Sequence, residues 1–202
     1  MPVTAEFIFD FGSPNAYLSH RVLPAIVART GVPFAYVPAL LGGIFKATGN
    51  ASPMVAFAGV RNKLEYQALE TRRFMEKHGI DNYKRNDHFP VNTLQLMRGA
   101  VYARDKQFYP RYIEAMYRAM WELNLDMTQP DVMAKTLAEA DLPAEEIMAA
   151  IQNSEVKQGL IDFTSASVAR GTFGSPTFYV GDEIFFGKDR LRDVEELLIS
   201  RA

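Results

Sequence analysis

Phe9-Asp10-Phe11-Gly12-Ser13-Pro14-Asn15-Ala16-Tyr17-Leu18 is the stretch whose reading decides the fold. The apolar run Phe7-Ile8-Phe9 leads into it and reads as a buried strand. Tyr17, Leu18, Val22, Leu23 and Ile26 follow at helical spacing. The junction between the two is Ser13-Pro14. Proline suits the first turn of a helix, where its missing N–H would be unpaired anyway. A serine oxygen caps that turn by accepting from its N–H groups. Ser13 therefore stands where a strand ends and the positive end of a helix dipole begins, an end that attracts anions. A helix cap alone would satisfy the Ser-Pro pair; a chemical role needs a second site, and the C-terminal part of the chain supplies one.

Outward from this junction, Glu6 to Asp10 reads as the first strand and Pro14 to Thr30 as the first helix, stopped by Gly31. Phe34 to Val37 is a second strand between Pro33 and Pro38. Strand, helix, strand is a βαβ unit, which implies a parallel pair. Leu40 to Asn50 is Gly-rich and reads as an ordered loop or a broken helix. From Val60 the pattern is helical for a long stretch, with helices expected near Leu64–Met75, Thr93–Arg104, Tyr109–Leu123, after Pro130, after Pro143 and over Val156–Arg170. The Tyr112–Trp121 stripe of aromatics and methionines reads as packing core, and Lys84–His88 as an exposed loop. Pro176 to Val180 is a strand again, Gly181-Asp182 a tight turn, and Ile184 to Phe186 its hairpin partner. Asp189 to Ser200 is a last amphipathic helix.

The order βαβ, helical block, ββα is that of an α/β, thioredoxin-like fold: a mixed four-stranded sheet with an all-helical insertion. The expected division is residues 1–44 and 165–202 for the thioredoxin-like part and 45–164 for the insertion. The hydrophobic fraction of 48% is enough for a real core, and the net charge of −2 gives no general reason to bind nucleic acid or an anionic membrane. No apolar run is long enough to span a bilayer. Met-Pro-Val-Thr-Ala-Glu has no basic leader character, so a cytoplasmic location is expected. The chain has 0 cysteines, which excludes a disulfide framework and thiol–disulfide exchange by its own sulfurs. His20, His78 and His88 lack ligand spacing, so no metal site is expected.

This layout sets the start of the first helix beside the loop before the third strand, Phe173-Gly174-Ser175-Pro176. The Ser175–Pro176 bond is expected to be cis, with the backbone of Ser175 turned outward to pair with an extended peptide. Where disulfide oxidoreductases of this fold begin the helix with Cys-x-x-Cys, this chain has Ser13-Pro14-Asn15-Ala16. The thiol must then come from a ligand, and glutathione is a short peptide with a central cysteine. A helix N-terminus and a hydroxyl donor stabilise a thiolate; Ser13 would donate to sulfur and not itself attack.

Asp10-Phe11-Gly12-Ser13-Pro14 with Tyr17-Leu18, Leu40-Leu41-Gly42-Gly43-Ile44-Phe45-Lys46-x-x-Gly49-Asn50, Phe173-Gly174-x-Pro176-Thr177 and Phe186-Gly187-x-Asp189-Arg190 occur in that order. Together they resemble the 2-hydroxychromene-2-carboxylate isomerase and kappa-class glutathione transferase family over the full length of the chain. The resemblance implies that Ser13 activates glutathione, that Pro14, Asn15, Ser175 and Pro176 contact it, and that Asn50 contacts the glutathione backbone or the substrate. It implies that Lys188 and Asp189 hold the γ-glutamyl end, with Asp189 on its ammonium, and that Lys63 suits the glycyl carboxylate. Lys46 and Phe89 would lie near a small aromatic carboxylate substrate, and relatives suggest a homodimer. Two positions depart from the family: Ser175, more often apolar, and Asn15, more often aromatic. A glutathione-dependent isomerase of aromatic ring-cleavage products is the favoured expectation. A kappa-like glutathione transferase or peroxidase, and a non-catalytic thioredoxin-fold peptide binder, are the alternatives.

Overall fold

Residues 3–201 are described by a computed structural model. The chain opens with β1 (Ala5–Phe9), α1 (Pro14–Thr30) and β2 (Phe34–Pro38). β1 and β2 pair in parallel, Phe7 opposite Tyr36. The helical block runs through α2 (Leu41–Thr48), α3 (Pro53–Ala56), α4 (Lys63–His78), α5 (Leu94–Ala103), α6 (Tyr109–Trp121), α7 (Pro130–Glu139), α8 (Ala144–Ala150) and α9 (Ser154–Ala169). The hairpin β3 (Thr177–Val180) and β4 (Glu183–Phe186) follows, then a 3₁₀ turn over Lys188–Arg190 and α10 (Leu191–Arg201). The sheet order is β2-β1-β3-β4, with β3 antiparallel to both of its neighbours. This is the mixed four-stranded thioredoxin sheet that the order of elements implies.

The unbroken apolar run in β1 has a structural cause: β1 is central in the sheet and covered on both faces. Phe7, Phe9 and Phe11 belong to the same buried cluster as Tyr112, Tyr117 and Trp121 of α6. The helical block and the sheet therefore share one core. Burial of each such side chain contributes about 1.5–3 kcal/mol. The expected division points at 44/45 and 164/165 fall inside α2 and α9, which pack on each other.

Two local readings are corrected. Leu40–Asn50 contains a regular helix, α2, ended by Gly49 in the left-handed region. Glycines lower helix propensity, but here tertiary packing outweighs that: a Cβ at Gly43 would lie 3.1 Å from the Thr164 methyl of α9. Lys84–His88 is not uniformly exposed either. Asn86 is buried, and its amide donates to the carbonyls of Met120 and Leu125, each at 2.9 Å.

Candidate functional site

Ser13 is the N-cap of α1 in extended backbone, and its Oγ accepts the Ala16 N–H at 3.2 Å. The same hydroxyl donates to the Ser175 carbonyl at 2.9 Å, across 162 residues of sequence. Asp10 ties the two serines further. Its N–H donates to Ser175 Oγ at 3.2 Å, and its carbonyl accepts the Ser13 N–H at 3.0 Å. Asp10, Ser13 and Ser175 thus close a ring of hydrogen bonds at the start of α1, and all three are buried.

The Ser175–Pro176 bond is cis, as is Phe89–Pro90. Gly174 is required by close approach: a Cβ there would lie 2.7 Å from the Phe186 ring. Phe186 also packs against Phe173, rings 4.5 Å apart, and both stay exposed as an apolar lip. Asn50, just beyond α2, donates its side-chain amide to the Phe173 carbonyl at 2.7 Å. The Gly187 N–H donates to the Pro176 carbonyl at 3.0 Å, which brings the start of the Lys188–Arg190 turn beside the loop.

Behind the junction, the Trp121 indole N–H donates to the Phe11 carbonyl at 2.8 Å. Phe89 is half-buried, its ring 6.0 Å from that of Trp121, and the Arg85 guanidinium lies 6.0 Å from its centre. The Asp10 carboxylate receives the Gly12 N–H at 2.8 Å, the Leu41 N–H at 2.7 Å and the Thr93 hydroxyl at 2.6 Å. The starts of α2 and α5 are thereby anchored to the loop that carries Ser13. Sequence reasoning gave neither Asp10 nor Thr93 a role. Asp two residues before Gly12 signals an Asx turn, but its tie to Thr93 spans 83 residues and has no local signature.

Burial raises the Asp10 carboxyl above the usual range, opposed by its hydrogen bonds from Leu41, Thr93 and Gly12. The folded state therefore holds this proton more tightly than the unfolded chain. Between the unfolded and folded values the unfolded state binds fewer protons, so this group's contribution to stability falls as pH rises and levels off above the folded value. The expected result is that the stability difference between wild type and Asp10→Asn, from urea unfolding, shifts against wild type as pH climbs through that window. A pH-independent difference would mean that the carboxyl is unperturbed.

The remaining expected positions separate. Pro14 and Asn15 are half-buried in the first turn of α1. Lys46 and Lys63 are exposed, and no hydrogen bond or ion pair joins either to the serine pair; the Lys63 ammonium lies 5.3 Å over the Phe57 ring. Lys188 is only 4% exposed, its ammonium pairing with Asp189 and lying 4.8 Å over the Phe74 ring. Lys188 and Asp189 line a cavity of about 340 Å³ between α1, α4 and α10, whose lining includes neither Ser13 nor Ser175. Asp189 itself keeps 65% of its side chain exposed. His78 lines the same cavity; burial first, then Lys77, Arg29 and Lys188, hold its pKa below the usual histidine value. Among the described residues no three His, Asp or Glu side chains cluster as metal ligands, and no helix is long and apolar enough to cross a membrane.

The sheet order, the Ser-Pro helix start and the cis-proline loop define a thioredoxin-fold protein of the DsbA type. The chain belongs to the DSBA-like thioredoxin domain family, which matches residues 4–198. It is 26% identical over 201 residues to 2-hydroxychromene-2-carboxylate isomerase of Sphingobium xenophagum, covering 98% of this chain and 100% of that one. It is 25% identical over 211 residues to human glutathione S-transferase kappa 1, covering 98% and 92%. Among solved structures, a 2-hydroxychromene-2-carboxylate isomerase superposes with a TM-score of 0.83 at 23% identity, over 96% of this chain and 94% of that one. A probable DsbA oxidoreductase from Streptomyces coelicolor superposes at 0.73 and 16% identity, over 98% and 89%. Named relatives are thus isomerases and glutathione transferases, while the oxidoreductases share the fold.

Proposed function

We propose that this protein is a glutathione-dependent isomerase of the 2-hydroxychromene-2-carboxylate type. The observation that carries the reading is the buried contact between Ser13, at the positive end of α1, and the Ser175 carbonyl, in a chain with 0 cysteines. The helix start, the cis-proline loop and the serine contact between them support this reading, and the chain brings no thiol of its own. The residues fit glutathione: Ser175 offers a backbone acceptor to its cysteinyl N–H, and the α1 dipole and Ser13 favour an anion at the sulfur.

Bound glutathione supplies a thiolate that adds reversibly to a conjugated enone, so the former double bond turns as a single bond and is restored when the thiolate leaves. The chain's own part is electrostatic and steric. With glutathione bound, the Ser13 hydroxyl would donate to its sulfur, and the Ser175 carbonyl, which now accepts from Ser13, would accept the ligand N–H. Phe89 and the Phe173–Phe186 lip supply flat apolar walls for an aromatic substrate. Lys46, exposed on α2, is the cation proposed to meet the substrate carboxylate.

Kappa-type relatives at 25% identity favour a second reading, in which the thiolate is consumed by transfer. Incubation with 2-hydroxychromene-2-carboxylate and with 1-chloro-2,4-dinitrobenzene, each with and without glutathione, separates the two. Isomerisation that needs glutathione without depleting it supports the proposal. Stoichiometric loss of glutathione with the chlorobenzene alone would replace it with the transferase.

Asp189 is proposed to bind the γ-glutamyl ammonium, because it is exposed two residues after Gly187, whose N–H holds the Pro176 carbonyl. The expected result is that Asp189→Ala weakens glutathione binding by about 1.5–3 kcal/mol, the range for hydrogen bonds to charged groups. An unchanged dissociation constant by calorimetry would remove Asp189 from the site.

A further inference from the structure

We infer that the Ser175 hydroxyl is a second hydrogen-bond donor to the ligand sulfur, beside Ser13. The inference rests on the thiol-binding reading above and adds a residue to it.

Ser13 has one proton to give, and gives it to the Ser175 carbonyl at 2.9 Å. Its oxygen is engaged as well, by the Ala16 N–H. Ser175 differs. Its Oγ accepts the Asp10 N–H at 3.2 Å, and among the described residues its own proton has no acceptor. The residue is 9% exposed, so it is mostly buried yet keeps some surface open to a ligand atom. Buried donors are normally paired, and an unpaired one asks for a partner.

The geometry says where that partner sits. The Asp10 N–H holds Ser175 Oγ, the Asp10 carbonyl holds the Ser13 backbone N–H, and the Ala16 N–H holds Ser13 Oγ, so both hydroxyls are tied to the short segment that joins β1 to α1. A sulfur bound against Ser13 at the helix end would then have the Ser175 hydroxyl as a neighbouring donor. Pairing Ser175 with the sulfur requires rotation only about the C–O bond, with no heavy atom moved. The Asp10 N–H remains on Ser175 Oγ throughout, because that oxygen has two lone pairs besides its proton. A thiolate with two hydroxyl donors is stabilised more than one with a single donor. Ser175 then has a use that an apolar residue at this position could not supply.

The test is an ultraviolet titration of thiolate absorbance in wild type and in Ser175→Thr, Ser175→Val and Ser175→Ala, each saturated with glutathione. Threonine and valine fill the same volume and differ by the hydroxyl alone, so their comparison cancels packing effects. The expected result is a bound-thiol pKa about one unit higher in Val and Ala than in Thr, a tenfold change in the ionisation constant. Glutathione affinity, set by backbone contacts, should change little between Thr and Val. If Thr and Val titrate alike while Ser13→Ala is shifted, Ser175 is no donor and the thiol site stands without it. If wild type itself titrates like free glutathione, the thiol-site reading falls and this inference falls with it.

Discussion

Trp121→Ala loses about 3–5 kcal/mol of folding stability, the range for deleting a fully buried large aromatic. Trp121 is 1% exposed and lies in the core that joins α6 to the sheet. Its ring stacks on Tyr83, centroids 6.0 Å apart and planes within 17°. Its indole N–H is the partner of the Phe11 carbonyl, so truncation leaves that carbonyl unpaired beside a cavity. An orphaned buried polar group adds about 1–3 kcal/mol, though part of that is already within the truncation range. Phe11 is two residues before Ser13, so the loop that presents the helix start loses its backing. The result should be seen in urea unfolding as a lower midpoint at unchanged slope. Trp121→Phe keeps an aromatic ring but discards the N–H and part of the volume, so it should lose less than Trp121→Ala while the Phe11 carbonyl stays unpaired. A Trp121→Ala loss below about 1 kcal/mol would mean that the helical block is not packed on the sheet as described.

Ser13→Ala should leave glutathione bound but less ionised. As a helix cap, Ser13 contributes about 1 kcal/mol of stability. The peptide contacts proposed for glutathione lie elsewhere, on Ser175, Asn50 and Asp189, so affinity should change little. The bound thiol should titrate about one pKa unit higher, which corresponds to about 1.4 kcal/mol less stabilisation of the thiolate. Well below the wild-type value the thiolate fraction, and turnover with it, falls about tenfold, and by less as pH approaches that value. The helix N-terminus and the Ser175 hydroxyl remain, so activity should decrease without vanishing. Thiolate absorbance against pH, for both proteins saturated with glutathione, is the measurement. Superimposable titrations would reduce Ser13 to a cap.

Much of the architecture is legible because it is local. β1 and α1 follow from a continuous apolar run, a Ser-Pro start and a helical period of apolar residues. The β3–β4 hairpin follows from two apolar runs around Gly181-Asp182. α2 was the harder element, since Gly42 and Gly43 weaken a helix considered alone, and only its contact with Thr164 shows why glycine stands at position 43. Asn86 is hidden for a similar reason. Its neighbours are charged and exposed, but its amide closes two carbonyls of the α6 exit and the segment after it.

The sequence by itself determined the elements, their order, the serine at the helix start and the lack of any thiol. Those properties depend on residue type and on neighbours within a turn or two. Tertiary structure decided which side chains meet. The Ser13 hydroxyl finds the Ser175 carbonyl 162 residues away, and Asp10 finds Thr93 across 83. Lys188 and Asp189 are adjacent in sequence and pair with each other, but packing buries the lysine over Phe74 while the aspartate stays largely exposed. No periodicity encodes such pairings, because they follow from how α1, α4, α5 and the loop before β3 pack on one sheet. Packing decides which buried donors find an acceptor within the chain. The open hydroxyl on Ser175 is therefore a property of the folded chain.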